Sequence, residues 1–183
     1  MHLTIAQQRL IGTIEKNGNN MKTINTYINE KLRLTTKQKY TCQPKDKYEL
    51  REIILQRIED EGNECDLNDI DVSKITDMSL LFDAYGHNAK IFQDFNGDVS
   101  MWDVSNVKNM HGIFTRCSVF NCDLSKWNVS NVLYMGYMFY NCEKFNQDLD
   151  SWNVSNVKTM VGAFEHCPTQ PTWYDKDKWE NII

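Results

Sequence analysis

The sequence predicts an α/β repeat protein, a solenoid of about four 25-residue units, each a short parallel strand plus a short helix, behind a helical N-terminal cap. Three observations carry that prediction. The run beginning Phe95-Asn96-Gly97-Asp98-Val99-Ser100-Met101-Trp102 returns at Phe120 and again at Phe145, each time after 25 residues and without a gap. Superposed copies form columns: Phe95/Phe120/Phe145, Trp102/Trp127/Trp152, Met110/Met135/Met160, Phe114/Phe139/Phe164 and Cys117/Cys142/Cys167. A fixed period of this length with apolar columns is the signature of units that bury their apolar faces against one another.

Within each copy the pattern divides. Val107, Met110, Ile113 and Phe114 fall at i, i+3, i+6 and i+7, the spacing of one helix face, and Ser105 or Asn106 stands where an N-cap belongs. Asp98-Val99-Ser100, Asp123-Leu124-Ser125 and Asp148-Leu149-Asp150 are short and apolar at the centre, which suits a strand of three or four residues. A strand and a short helix in about 25 residues is leucine-rich-repeat architecture.

Along the chain, residues 1–45 read as a helical extension and linker. Leu3, Leu10, Ile11 and Ile14 have helical spacing up to Gly18-Asn19-Asn20, and Met21, Ile24, Ile28 and Leu32 form a second candidate helix. Met21 is also a candidate alternative start. Residues 46–64 read as a capping helix: Asp46 and Glu49 have capping-box spacing, Leu50, Ile53, Ile54, Leu55 and Ile58 make an apolar stripe, and Gly62-Asn63 ends it. The repeats occupy 65–169. The first is degenerate, with Ile70 in the tryptophan column and a seven-residue insertion around 84–90, an edge loop open to a binding or an ornamental role. Residues 170–183, where Pro171 and Asp175-Lys176-Asp177-Lys178 break the register, read as a C-terminal cap.

Charge and composition narrow the function. The chain of 183 residues carries a net charge of −5. Residues 1–61 hold 11 Lys/Arg against 8 Asp/Glu, and the rest 9 against 17. An acidic body offers no basic stripe for nucleic-acid phosphate. No apolar run approaches a bilayer span, and no signal peptide or anchor is visible, so the expected setting is cytoplasmic. The in-register cysteines read as a reduced, buried column.

No catalytic motif or phosphate-cradling glycine loop appears, so neither an enzyme nor a cofactor is expected. His111, His166 and the cysteines lack zinc-knuckle spacing. The Asp66/Asp98/Asp123/Asp148 column would repel itself unless something offsets it. Hydrogen bonds to backbone N–H groups and to the Asn96/Asn121/Asn146 column would do so, as would bound calcium.

The motif Trp-Asp/Asn-Val-Ser-Asn-Val-x-x-Met, then Phe, a Cys three residues later and Phe-Asn-x-Asp-Leu-Ser, resembles the BspA-like leucine-rich repeats of bacterial surface proteins, including mycoplasmal lipoproteins, over residues 65–167. The resemblance implies a right-handed leucine-rich-repeat solenoid that serves in binding and has no catalytic residues.

The expected function is therefore a non-enzymatic interaction module that binds a protein partner, one with a basic patch, through the strand face and edge loops. Candidate contacts are Asp98, Ser100, Asp123, Ser125, Lys126, Asp148 and Asp150 on the strand side, and Tyr134, Tyr137 and Tyr140 in the unusually aromatic middle copy. A phage or mobile-element inhibitor that blocks a host protein's nucleic-acid site is a second reading, and an adhesin-like surface protein a third.

Overall fold

A computed structural model describes residues 40–180. The helices read from the sequence around Leu3–Ile14 and Met21–Leu32 lie outside the described residues.

The helix expected after Asp46 is α1, Lys47–Glu61. The Asp46 carboxylate accepts from the N–H groups of Tyr48 and Glu49, which no carbonyl can satisfy in the first turn. Glu49 answers by accepting from the Lys45 N–H at 2.9 Å, one residue before the cap. Gly62, at φ +90°, ends the helix with its N–H on the Ile58 carbonyl. Leu50, Ile54 and Ile58 are buried, one from each turn of the inward face.

Beyond α1 the expected architecture is corrected. The described residues contain no sheet and only two further helices, α2 (Ala89–Gln93) and α3 (Lys176–Glu180), plus a 3₁₀ turn at Gly86–Asn88. The leucine-rich-repeat solenoid of strand and helix is therefore not what the chain forms. The stretch 105–117, expected to be helical, is a succession of turns in which Val107, Ile113, Thr115 and Cys117 each donate three residues back. The intervening N–H groups of Met110, Gly112, Phe114 and Arg116 go to carbonyls of the following copy, so no i to i−4 ladder develops. Apolar residues at i, i+3, i+6 and i+7 arise here from tight turns, a source the helix reading did not weigh.

The expected strand fails for a related reason. Asp98, Asp123 and Asp148 each accept, through Oδ1, the N–H two residues on, and this local turn competes with extension. Asp103, Asn128 and Asn153 do the same for Ser105, Ser130 and Ser155. Parallel pairing survives only as isolated one-residue bridges, notably Asp77–Asn109, Asn109–Tyr134 and Tyr134–Thr159, in the half expected to be helical.

Side chains hold the copies in register. Phe120 stacks on Phe95 and Phe145 at 6.0 Å, Trp127 on Trp102 at 6.4 Å, and Phe114 on Phe82 and Phe139 at 5.2 and 5.5 Å. Each tryptophan Nε1 donates to a buried carbonyl of the copy before: Trp102 to Leu67, Trp127 to Val99 and Trp152 to Leu124. Each cysteine of the column points its thiol at a phenylalanine carbonyl, Cys117 at Phe82, Cys142 at Phe114 and Cys167 at Phe139. Burial pushes the first two thiols well above the ordinary range and Cys167 up to about 12, so the column stays protonated.

Hydrogen bonds tie both flanks to the neighbouring copies. Thr41 N–H donates to the Asp69 carbonyl and Cys42 accepts from the Asp71 N–H, so residues 41–43 lie alongside 69–71. At the other end, Trp173 donates to the Leu149 carbonyl, continuing the tryptophan pattern. Gln170 Nε2 approaches the Phe164 carbonyl at 3.5 Å, where a further cysteine would point. Just past the insertion, Phe92 in α2 is fully buried, edge-on to Phe82 and beneath the Arg51 guanidinium, whereas Tyr85 within it is exposed.

Candidate functional site

The residues singled out from the sequence fall into two groups, and no hydrogen bond, ion pair or ring contact joins the two groups among the described residues. In the acidic group, Asp98 and Ser100 are half-buried, whereas Asp123, Lys126, Asp148 and Asp150 are exposed and Ser125 is intermediate. The inner oxygens of the aspartates belong to their own turns. Asp150 also accepts from the Thr172 N–H at 2.6 Å, tying the C-terminal segment down.

The asparagine column does not serve these carboxylates. Asn96 accepts instead from Asn121 N–H, and Asn121 from Asn146 N–H. Among the described residues no three His, Cys, Asp or Glu side chains are grouped to hold a metal ion. Asp98, Asp123 and Asp148 each accept from a backbone N–H, and Asp66 and Asp98 also accept from side chains.

Desolvation alone would raise the Asp98 pKa, but bonds from the Ser100 N–H and hydroxyl, Asn68 and Cys122 hold it below the ordinary carboxylate range. Asp123 is lowered chiefly by the Ser125 N–H. A carboxylate with a depressed folded pKa stabilises the fold above its unfolded value, near pH 4, and that contribution fades as pH falls through the folded value. We expect Asp98→Asn, which keeps an oxygen for the turn, to melt about 2–4 °C below wild type at pH 7. The gap should close in acid. A gap unchanged at pH 2, in calorimetry, would contradict this account.

The tyrosine group is the better connected through ring contacts. Tyr137 meets the His111 ring at 5.7 Å and Tyr140 at 5.7 Å, and Tyr140 meets His166 at 5.7 Å, all edge-on. Arg116 lies over both Tyr85 (5.2 Å) and Tyr140 (5.8 Å). The result is a continuous strip from Tyr85 through Arg116 and Tyr140 to His166, with Tyr137 and His111 beside it. Tyr137 beside the strip is 40% exposed, and Tyr134, three residues earlier, is 41% exposed.

The backbone under the strip is unusual. Leu80, Arg116, Tyr137, Asn141 and His166 all have φ between 55° and 63°, the left-handed region that costs an L-residue roughly 1–2 kcal/mol. Leu80 and Tyr137 share a column with Gly112 and Gly162, which adopt the same conformation at φ 60° and 62°. A Cβ on Gly112 would fall 2.6 Å from Leu80 Cδ2, and one on Gly162 2.7 Å from Tyr137 Cε1. Large and glycine positions therefore alternate, each large side chain lying across the next glycine.

Sequence reasoning passed over Tyr85 and Arg116. Arg116 was visible only as one member of a varying column, and Tyr85 sits in the insertion, where the period gives it no partner. A second concavity, a groove of about 660 Å³ between α1 and α2, is bordered by Glu52, Glu59, Asn63, Lys90, Ile91 and Asp94.

Comparison with known families places the chain. The model of a family described as Mycoplasma protein of unknown function, DUF285, matches residues 53–177. The chain belongs to the DUF285 family. No curated protein and no solved structure matches it. The DUF285 match begins within α1 and ends within α3, so helix, turns and C-terminal segment all belong to the family region. No described helix is long and apolar enough to cross a membrane.

Proposed function

We propose that this DUF285 protein is a non-enzymatic binding module that engages a protein partner through the strip around Tyr134, Tyr137 and Tyr140. The observation that carries the reading is Tyr137. The scaffold accepts glycine at that column, yet an exposed tyrosine is held there against its backbone preference. Strained residues of this kind concentrate where function retains them. Tyrosine and arginine are also the side chains that dominate interface cores, since they combine large apolar area with few rotatable bonds.

With no sheet to offer, the strand face expected from the sequence is replaced by this turn-built strip. The acidic side chains lie outside it, and a partner with a basic patch would meet them at its rim, so that binding weakens with added salt. Acidity also argues against nucleic acid as the ligand. A cytoplasmic setting belongs to the same proposal and rests on the in-register cysteines, which repeat as one column rather than as pairs. So does a wider kinship with BspA-like proteins, which rests on the Trp-Asp/Asn-Val-Ser-Asn-Val motif alone.

The decisive variant is Tyr137→Gly. Relief of the left-handed strain offsets the lost ring contacts, so its denaturation midpoint should correspond to within about 1 kcal/mol of wild type. Affinity capture from the native cell, with wild type and a Tyr134→Ser/Tyr137→Gly variant of equal stability, should return a protein with the first and lose it with the second. Equal capture would exclude the strip.

A further inference from the structure

One row of backbone bonds between copies runs a single way, from each copy's N–H groups to the next copy's carbonyls, whereas flanking bonds such as Lys158 N–H to the Leu133 carbonyl run the other way. Met78, Leu80, Phe82 and Ala84 donate to the carbonyls of Asn109, His111, Ile113 and Thr115. Met110, Gly112, Phe114 and Arg116 donate to Tyr134, Gly136, Met138 and Tyr140, and Met135, Tyr137, Phe139 and Asn141 to Thr159, Val161, Ala163 and Glu165. Every one of these bonds measures 2.7–3.0 Å. Within this row the direction makes the two ends chemically opposite: one ends in carbonyls, the other in N–H groups.

The carbonyl end is closed. Lys47 donates to the Ser79 carbonyl at 3.4 Å, and Arg51 donates to those of Leu81 and Asp83. Two cations of α1 thus occupy the acceptors that a preceding copy would otherwise use. The N–H end is open. Met160, Gly162, Phe164 and His166 hold the corresponding positions in the last copy, and none of their N–H groups has an acceptor among the described residues. The C-terminal segment supplies Trp173 and Gln170 in place of the next tryptophan and cysteine, but nothing for this row. Backbone donors near packed surface are nearly always paired, so a row of four unpaired ones marks a place where an acceptor row is missing.

We propose that the N–H row of Met160, Gly162, Phe164 and His166 is a docking edge for a segment of a separate polypeptide that presents four alternate backbone carbonyls. The three internal junctions show the required occupant. It offers carbonyls at every second residue, and it is read through main-chain bonds. A second copy of this chain does not fit: its own N–H row would set donors against donors, and its carbonyl row is held by Lys47 and Arg51. The edge adjoins the tyrosine strip at His166 and where Tyr137 lies across Gly162, but it is read through main-chain N–H groups and the strip through side chains.

Amide hydrogen exchange on the full chain tests the proposal. The probe is the acetylated, amidated peptide of residues 157–167 carrying Cys167→Ser, which reproduces the acceptor row of the last junction. In the free chain, the four amides should exchange about 100-fold faster than those of Met135, Tyr137, Phe139 and Asn141, and millimolar probe should slow them at least about 10-fold. A Tyr134→Ser variant, altered in the proposed strip but away from Gly162 and His166, should respond to the probe as wild type does. Amides already slow in the free chain would overturn the proposal, because the chain would then cover its own edge. Protection that grows with protein concentration would assign the edge to a second copy and overturn it too. Fast amides that ignore the probe would do the same.

Discussion

Trp127→Ala should lower stability by about 3–5 kcal/mol, read as a shift of the denaturant midpoint at constant slope. The indole is 3% exposed, stacks on Trp102 and meets Phe114 at 6.0 Å, so truncation opens a void between two aromatic columns at once. It also removes one of the two donors to the buried Val99 carbonyl, the indole N–H at 3.0 Å, leaving the Trp102 N–H at 3.2 Å. Trp127→Phe separates the two contributions. It keeps most of the ring and loses only that one hydrogen bond, and should cost about 0.5–1.5 kcal/mol. A Phe variant as damaged as the Ala variant would mean that the hydrogen bond, not packing, dominates.

Arg51→Met ranks second, at about 2–4 kcal/mol. The methionine retains much of the apolar stem over Phe92, but the guanidinium bonds to the Leu80, Leu81 and Asp83 carbonyls vanish. Hydrogen bonds from a charged donor contribute roughly 1.5–3 kcal/mol, and several carbonyls lose their partner together. Arg51→Lys should recover only part of the loss, since one ammonium cannot span carbonyls that a planar fork spans. Full rescue by lysine, in the same denaturation assay, would contradict the role given to the fork.

These cases show what was legible beforehand. The columns of Trp127, Phe114 and Cys142 followed from the period, because burial leaves a residue-type signal at each turn of the chain. The start of α1 followed from Asp46 and Glu49, because capping is local. The conformation between the columns did not follow. A 3.6-residue helix and a chain of three-residue turns both place apolar residues at i, i+3 and i+7, and only the partners of the intervening N–H groups distinguish them. Those partners lie a whole copy away. The strand half failed because Asp98, Asp123 and Asp148 were read as a charge column, whereas each closes its own backbone turn.

The site was legible to a similar depth. Tyr134, Tyr137 and Tyr140 stood out by composition, and the structure joins Tyr137 and Tyr140 in one strip. Arg116 and Tyr85 did not stand out, because their association crosses the insertion. The left-handed backbone at Tyr137 has no signature in a single copy and emerges only when its column is set beside Gly112 and Gly162.

That column bears on how such a protein can lengthen or shorten. Leu80 lies across Gly112, and Tyr137 across Gly162. Excising residues 95–119 would seat Leu80 directly on Tyr137, two bulky side chains in a slot shaped for one. Excising 95–144 would instead seat Leu80 on Gly162 and restore the fit. The motif is written once every 25 residues, but its surface has twice that wavelength, so viable insertions and deletions should come in pairs of copies.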